Sequence, residues 1–373
     1  VAALDFLDSE LARLKRDGLW RDPDAPPPDP ALLDLTSNDY LALAREPVSR
    51  ETLLACAGIR AGAGASRLLD GTDGAHLALE AELAAWVRLP TALLFSTGYA
   101  ANVGAVSALA GPDDLVVSDA LNHASLIDGC RLSRATVRVT PHRDVGAVVR
   151  ALAEPARRRF VVVEGLYSMD GDSPDLRALR EVTQRAGAVL VVDEAHSLGV
   201  FGPRGAGLCA EQGVVPDVFV GTLGKAVGAA GAFVAGRPEL RAWLWNRARS
   251  FVFSTAPSPL QAAVTLARVH ETQAADDRRA HLLGLADTLT ARLRAAGLNV
   301  PADVRGPIVP VLLGEPHRAL AASAFLRGAG LHVRAIRPPT VPEGTSRLRV
   351  SLHAGITAAQ LDLVAVALSS LAP

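Results

Sequence analysis

The sequence predicts an α/β fold: a mainly parallel central sheet flanked by helices, followed by a smaller α+β C-terminal region. Three observations predict it. Short β-rich runs alternate with helical stretches along most of the 373 residues, the pattern of strand–helix–strand units. The runs are nearly continuous in Val and Leu rather than alternating, as strands covered on both faces are. Five of them end in groups able to do chemistry, and ligands in such sheets bind beyond the carboxyl ends of the strands.

Taken in order, Leu4, Leu7, Leu11 and Leu14 recur at three-to-four spacing, which predicts a one-sided helix closed by Gly18. The proline-rich Asp22 to Pro30 (DPDAPPPDP) forbids helix and reads as an extended linker. Strands are expected at Ala92–Ser96, Asp114–Asp119, Arg159–Gly165, Ala188–Ala195 and Asp217–Thr222, with intervening helices such as Leu176 to Ala186. A long helical stretch from about Leu260 to Ala296 leads to three more strands, Pro307–Gly314, Leu331–Ile336 and Arg347–His353. The expected organisation is an arm and linker over 1–34, a large domain over 35–265 and a small C-terminal domain over 266–373.

Composition narrows the function. With 38 basic and 39 acidic residues the formal net charge is −1, which gives no electrostatic basis for binding nucleic acid or an anionic membrane. Aromatic residues make up 4%, leaving few platforms for stacking single strands. No run approaches the ~18 apolar residues that a membrane span requires. The first segment mixes acids and bases among its apolar positions, unlike a secretory leader. Cys56, Cys130 and Cys209 are scattered, with no C-x-x-C pair, so neither a metal site nor a dithiol is expected. A cytoplasmic enzyme is the expectation.

The strand ends carry Ser96-Thr97-Gly98, Asp119 to His123, Glu164, Asp193 with His196, and Thr222 with Lys225. Asp193 follows five apolar residues, and a carboxylate at the end of so apolar a run calls for a cationic partner. His196, three residues on, can face the same centre. Lys225 stands among Gly221, Gly224, Gly228, Ala229 and Ala230, where a desolvated amine can lose its proton and act as a Schiff-base nucleophile. A lysine after a strand can equally be a loop residue. Here, though, only Lys15 and Lys225 stand against 36 arginines, and arginine cannot form an imine. Gly98 and Tyr99 open a helix whose N-terminus can hold a phosphate. An acid for a pyridinium nitrogen, a lysine for an aldehyde and a phosphate site together describe pyridoxal 5′-phosphate. His123 would then stack on its ring.

On TSNDYLAL, GAGASRLLDGT, FSTGYAANVGAVSAL, NHASLIDG, VEGLYSMDGDSPDL, VDEAHSLGVFGPRGAG, GTLGKAVGAAGAFVAG, FVFSTAPSP and IRPPTVPEGTSRLRVSL, the chain resembles the α-oxoamine synthases. These are fold-type I pyridoxal-phosphate transferases, and the resemblance spans essentially the whole length. It implies that Lys225 holds the cofactor and later removes an α-proton. Asp193 would pair with the pyridinium nitrogen, His196 would hydrogen-bond the phenolic oxygen, and His123 would stack on the ring. Gly98, Tyr99 and Thr222 would surround the phosphate, with Ser254 and Thr255 reaching it from the partner subunit of a homodimer. Ser168 would sit at the phenolic side, and Arg349, with Asn38 nearby, would grip the amino-acid carboxylate. Arg21 would lie in the acyl-donor channel unless Trp20 holds that register.

Arg337-Pro338-Pro339-Thr340-Val341-Pro342 points to the branch that condenses L-alanine with a pimeloyl thioester, on CoA or a carrier protein, so Arg337 and Thr340 are substrate candidates. The alternatives are glycine with a short acyl-CoA, a secondary-metabolite synthase, or a non-catalytic subunit of the same fold. Two departures from the family pattern concern the pocket: Ala63 and Ala65 in the glycine-rich loop, and Ser197-Leu198 after the Asp-x-x-His.

Overall fold

The computed structural model describes residues 3–17, 19–23 and 29–372. Gly18 and residues 24–28, on which the expected helix stop and most of the expected linker fall, lie outside the described residues. The chain opens with helix α1 (Phe6–Arg16), strand β1 (Leu33–Asp34) and helices α2 (Arg50–Ala55) and α3 (Gly74–Trp86). The main alternation follows: β2 (Thr91–Phe95), α4 (Gly98–Leu109), β3 (Leu115–Asp119), α5 (Ala124–Ser133), β4 (Thr136–Thr140), α6 (Val145–Leu152), β5 (Arg159–Glu164), α7 (Leu176–Ala186) and β6 (Val189–Asp193). Helix α8 (Leu208–Gln212), β7 (Val218–Thr222), β8 (Ala232–Gly236) and helices α9 (Pro238–Arg247) and α10 (Arg249–Val252) complete that region. The remainder is α11 (Pro259–Ala274), α12 (Asp276–Ala295), β9 (Ile308–Gly314), α13 (Pro316–Gly328), β10 (Leu331–His332), β11 (Arg334–Ile336), β12 (Ser346–Ser351) and α14 (Ala358–Ser369).

Seven strands form the central sheet in the order β2-β8-β7-β6-β5-β3-β4. β8 runs antiparallel to both β2 and β7, and the other neighbours pair in parallel. The order places the ends of β5, β6 and β7 side by side, with Glu164 opposite Asp193 in register. That juxtaposition builds the site. Local sequence explains the helices between the strands. In α7 the Asp175 carboxylate accepts from the N–H of Ala178, Leu176, Leu179 and Val182 turn inward, and Gly187 ends the helix at a φ of +59°.

β4 and β8 were not among the expected strands. β4 (TVRVT) is an edge strand with mostly exposed side chains, so it lacks the continuous apolar run that marks its neighbours. The expected 331–336 strand is two short ones: β10 pairs with β1, and β11 joins β12 and β9 in a three-stranded antiparallel sheet. The expected single helical stretch breaks at Ala275, between α11 and α12. One apolar core joins Leu35, Tyr40 and Leu41 to Val163 and Val192 of the central sheet and to Val309, Val311, Leu348 and Val350 of the small sheet. Each fully buried leucine there contributes about 1.5–3 kcal/mol, so the segment carrying Asn38 and Tyr40 is fixed between the two sheets.

Candidate active site

The ends of β6 and β7 bring Asp193, His196, Thr222 and Lys225 to one cavity of about 190 Å³, which Gly98, Tyr99, Asn102, His123, Ser125 and Glu164 also line. Asp193 is buried, and its Oδ2 accepts from Nδ2 of Asn102 at 2.6 Å while Oδ1 accepts from the N–H of Ala195 at 2.9 Å. Among the described residues Asp193 makes no ion pair within 4 Å. A buried carboxylate with two donors and no cation is well suited to face a protonated ring nitrogen.

Lys225 Nζ lies 2.8 Å from Nε2 of His196. Burial lowers the lysine to about 8, outweighing the upward pull of Asp193 and Glu164. His196 is buried too, and desolvation, followed by the charge of Lys225, holds its imidazole well below the usual value. Its Nδ1 is 2.6 Å from the hydroxyl of Tyr40, which burial raises to about 12. His123 caps α5: its Nδ1 faces the N–H and hydroxyl of Ser125, and its own N–H donates to Oε1 of Glu164 at 2.6 Å. Burial keeps this imidazole neutral-leaning and pushes the Glu164 carboxyl up, reinforced by neighbouring Asp193.

Arg349, on β12, is buried and spread across three acceptors. Nε donates to the carbonyl of Ser168 at 2.6 Å, Nη1 to the Ser351 hydroxyl at 2.8 Å and Nη2 to Oδ1 of Asn38 at 2.9 Å. Nη2 is also 3.4 Å from the Tyr40 hydroxyl, which ties the guanidinium to the His196–Lys225 pair.

A profile for the aminotransferase class I and II family matches residues 30–368. An 8-amino-7-oxononanoate synthase from Anaeromyxobacter dehalogenans (strain 2CP-1 / ATCC BAA-258) is 50% identical over 385 residues, covering 100% of this chain and 96% of that protein. The chain belongs to the 8-amino-7-oxononanoate synthase family. Among solved structures, a serine palmitoyltransferase from S. paucimobilis with bound PLP superposes with a TM-score of 0.90 at 32% identity, over 99% of this chain and 97% of that one. An 8-amino-7-oxononanoate synthase from Francisella tularensis gives a TM-score of 0.80 at 26% identity, over 92% and 98%. Membership in this synthase family makes the chain a pyridoxal-phosphate-dependent acyltransferase of the α-oxoamine synthase type. Its residues fit the cofactor: an acid with no ion pair among the described residues, a lysine that burial holds below its usual value, and open space at Gly98, where an added Cβ would meet only Thr222, at 3.7 Å.

Other expected residues of this synthase family lie elsewhere. Ser254 and Thr255 stand outside the cavity; Thr255 bridges Ser66, and both line a separate small void with Arg67 and Ser96. Ser168 meets Arg349 through its carbonyl rather than its hydroxyl. Arg337 and Thr340 share the loop after β11, joined by a backbone hydrogen bond of 3.1 Å, and Thr340 is exposed. Arg21 is exposed, and Trp20 packs under the ammonium of Lys15. In the glycine-rich loop the positive φ falls on Gly64 (+75°), so Ala65 bears no strain there.

Sequence reasoning missed Asn102 and Tyr40 as site residues and left Glu164 without a role. Asn102 had a signal: a lone amide in the otherwise apolar run YAANVGAV, where only a buried partner would justify it.

Proposed function

We propose that this chain condenses L-alanine with a pimeloyl thioester, on CoA or a carrier protein. The products are 8-amino-7-oxononanoate, carbon dioxide and the free thiol, a step of biotin biosynthesis. The observation that carries the reading is the linked set Lys225–His196–Tyr40–Arg349, which joins a proton-accepting amine to a carboxylate-binding guanidinium. When bound, pyridoxal phosphate supplies an aldehyde for amine capture and a ring that accepts the electrons of the α-carbanion.

Lys225 would hold the cofactor through Nζ, and as a free amine the same nitrogen would take the α-proton; a pKa of about 8 suits both tasks. Asp193, whose oxygens accept from Nδ2 of Asn102 and the N–H of Ala195, would face the ring nitrogen of the cofactor. His196 would donate to the cofactor's phenolic oxygen, and His123 would stack on its ring, both from the lining of the same cavity. Gly98, Tyr99 and Thr222 would hold the phosphate at the N-terminus of α4, joined by Ser254 and Thr255 of the partner subunit. Arg349 exchanges its contacts with Ser168 and Asn38 for the two oxygens of the amino-acid carboxylate. Arg337, Thr340 and Arg21, which are not in the cavity lining, would serve the acyl donor. Condensation forms a C–C bond at the α-carbon and breaks the thioester C–S bond, the sulfur leaving as thiol; loss of the alanine carboxylate as carbon dioxide then leaves an electron pair on the α-carbon, which takes a proton.

A homodimer fits the exposed apolar residues Leu68, Leu69, Leu77 and Phe253. They gather in one region through the Ser66–Thr255 bridge and the His76–Pro257 hydrogen bond. We infer a cytoplasmic enzyme; among the described residues no helix is long and apolar enough to cross a membrane.

Protein reconstituted with pyridoxal phosphate and given L-alanine with pimeloyl-CoA or pimeloyl-carrier protein should release carbon dioxide, thiol and 8-amino-7-oxononanoate. Glycine with acetyl- or succinyl-CoA should react far more slowly. Turnover of the glycine pairs and none of the alanine pairs would move the chain to another α-oxoamine synthase activity.

A further inference from the structure

We propose that Tyr40 is a positioning residue that sets the tautomer of His196, holding the imidazole proton on Nε2 so that this nitrogen can donate toward the cofactor's phenolic oxygen. The inference rests on the cofactor site described above. Tyr40 has no exposed surface, and its hydroxyl lies 2.6 Å from Nδ1 of His196 and 3.1 Å from Oδ1 of Asn38. It has one hydrogen to give and two acceptors to choose between. A neutral imidazole has one donor and one acceptor, so whichever role Nδ1 takes, Nε2 takes the other.

While Lys225 is an ammonium it can only donate, so Nε2 accepts from it at 2.8 Å. Nδ1 then donates to the Tyr40 oxygen, and the Tyr40 hydrogen goes to Asn38. Once the lysine nitrogen is neutral or bonded to carbon, the direction reverses. Tyr40 donates to Nδ1, and the proton of the imidazole stands on Nε2. No other side-chain hydrogen bond to Nδ1 is formed among the described residues. Burial keeps both neutral: at His196 it is reinforced by the charges of Lys225, Arg349 and His123, at Tyr40 it outweighs the downward pull of Arg349, and Asp193 and Glu164 face Lys225. Phenylalanine at position 40 would keep the ring packing and remove only the donor.

The test is a pH titration of the absorbance of the lysine-bound cofactor in wild type and Tyr40→Phe, each shown folded by its melting curve. Weaker donation leaves the phenolic oxygen more basic, so the apparent pKa of the variant should rise by about 0.5 pH units or more. An unchanged titration in a folded, cofactor-loaded variant overturns the proposal. A wild type that takes up pyridoxal phosphate without any lysine-bound absorbance overturns the cofactor reading itself, a distinguishable result. If Tyr40→Phe does not fold, nitrogen-15 spectra of the cofactor-free wild type decide, with His196 assigned by its own substitution. Above the lysine's value of about 8, a proton on Nε2 supports the inference and a proton on Nδ1 overturns it.

Discussion

Nζ of Lys225 stands 2.8 Å from Nε2 of His196, an ammonium facing a buried imidazole that cannot take a second proton at neutral pH. Burial is the larger cause of the lysine's fall to about 8. The neutral amine, the form that attacks an aldehyde, is therefore present near neutrality instead of only above pH 10.

The rate of cofactor capture should report this directly. With cofactor-free protein and dilute pyridoxal phosphate, the second-order rate of absorbance gain should rise about tenfold per pH unit below pH 8 and level off above it. A flat profile between about pH 6 and 9 would show that the lysine is not the titrating nucleophile.

Arg349→Lys should separate binding from chemistry. The guanidinium reaches Ser168, Ser351 and Asn38 with three different nitrogens, and a single ammonium cannot reproduce that fork. Steady-state kinetics should show KM for the amino acid raised about tenfold or more, with a smaller fall in kcat. An unchanged KM would remove Arg349 from the carboxylate site.

Asn102→Ala should weaken the cofactor's hold without touching it. The 2.6 Å bond to Asp193 Oδ2 is a charge-assisted one, worth about 1.5–3 kcal/mol. Its loss should lower kcat or cofactor retention on dialysis by about tenfold to a hundredfold. Full retention and full activity would make the Asn102 contact structural only.

A stability effect is predicted away from the site. His142 bridges Asp119 at 2.9 Å and Asp172 at 3.0 Å, and although burial pulls its imidazole down, the two carboxylates raise it to about 9. The folded value exceeds the unfolded 6.5, so this stabilisation is complete below about pH 6.5 and is lost as pH rises through about 9. The melting temperature should fall between pH 7 and 9.5 (~), and His142→Asn should show less of that fall. An equal decline in both proteins would refute the assignment.

Much of this molecule was legible in the residues. The five buried apolar strands were legible because both faces are covered, while β4 was not, because its side chains lie mostly in solvent. Asp193 ends one such strand, and His196 and Lys225 follow β6 and β7, so the continuous apolar runs put all three at the carboxyl edge of the sheet. Asn102 and Tyr40 were harder to see. One is an amide inside a helix and the other a tyrosine in a loop 156 residues from its partner, and only the packing of α4 and the Leu35–Leu41 segment brings them to the site. Ser254 and Thr255 stand outside the cavity of their own chain, so the phosphate role proposed for them requires a second copy.

The central claim is that one buried lysine carries the carbon chemistry, and the composition makes it directly testable. Lys225 shares the sequence with a single other lysine, Lys15 on helix α1. Borohydride reduction of the cofactor-loaded protein, followed by peptide mass mapping, should place one phosphopyridoxyl group on the peptide containing Lys225 and none on Lys15. A label on Lys15 alone, or no label on protein that turns over L-alanine, would contradict the account.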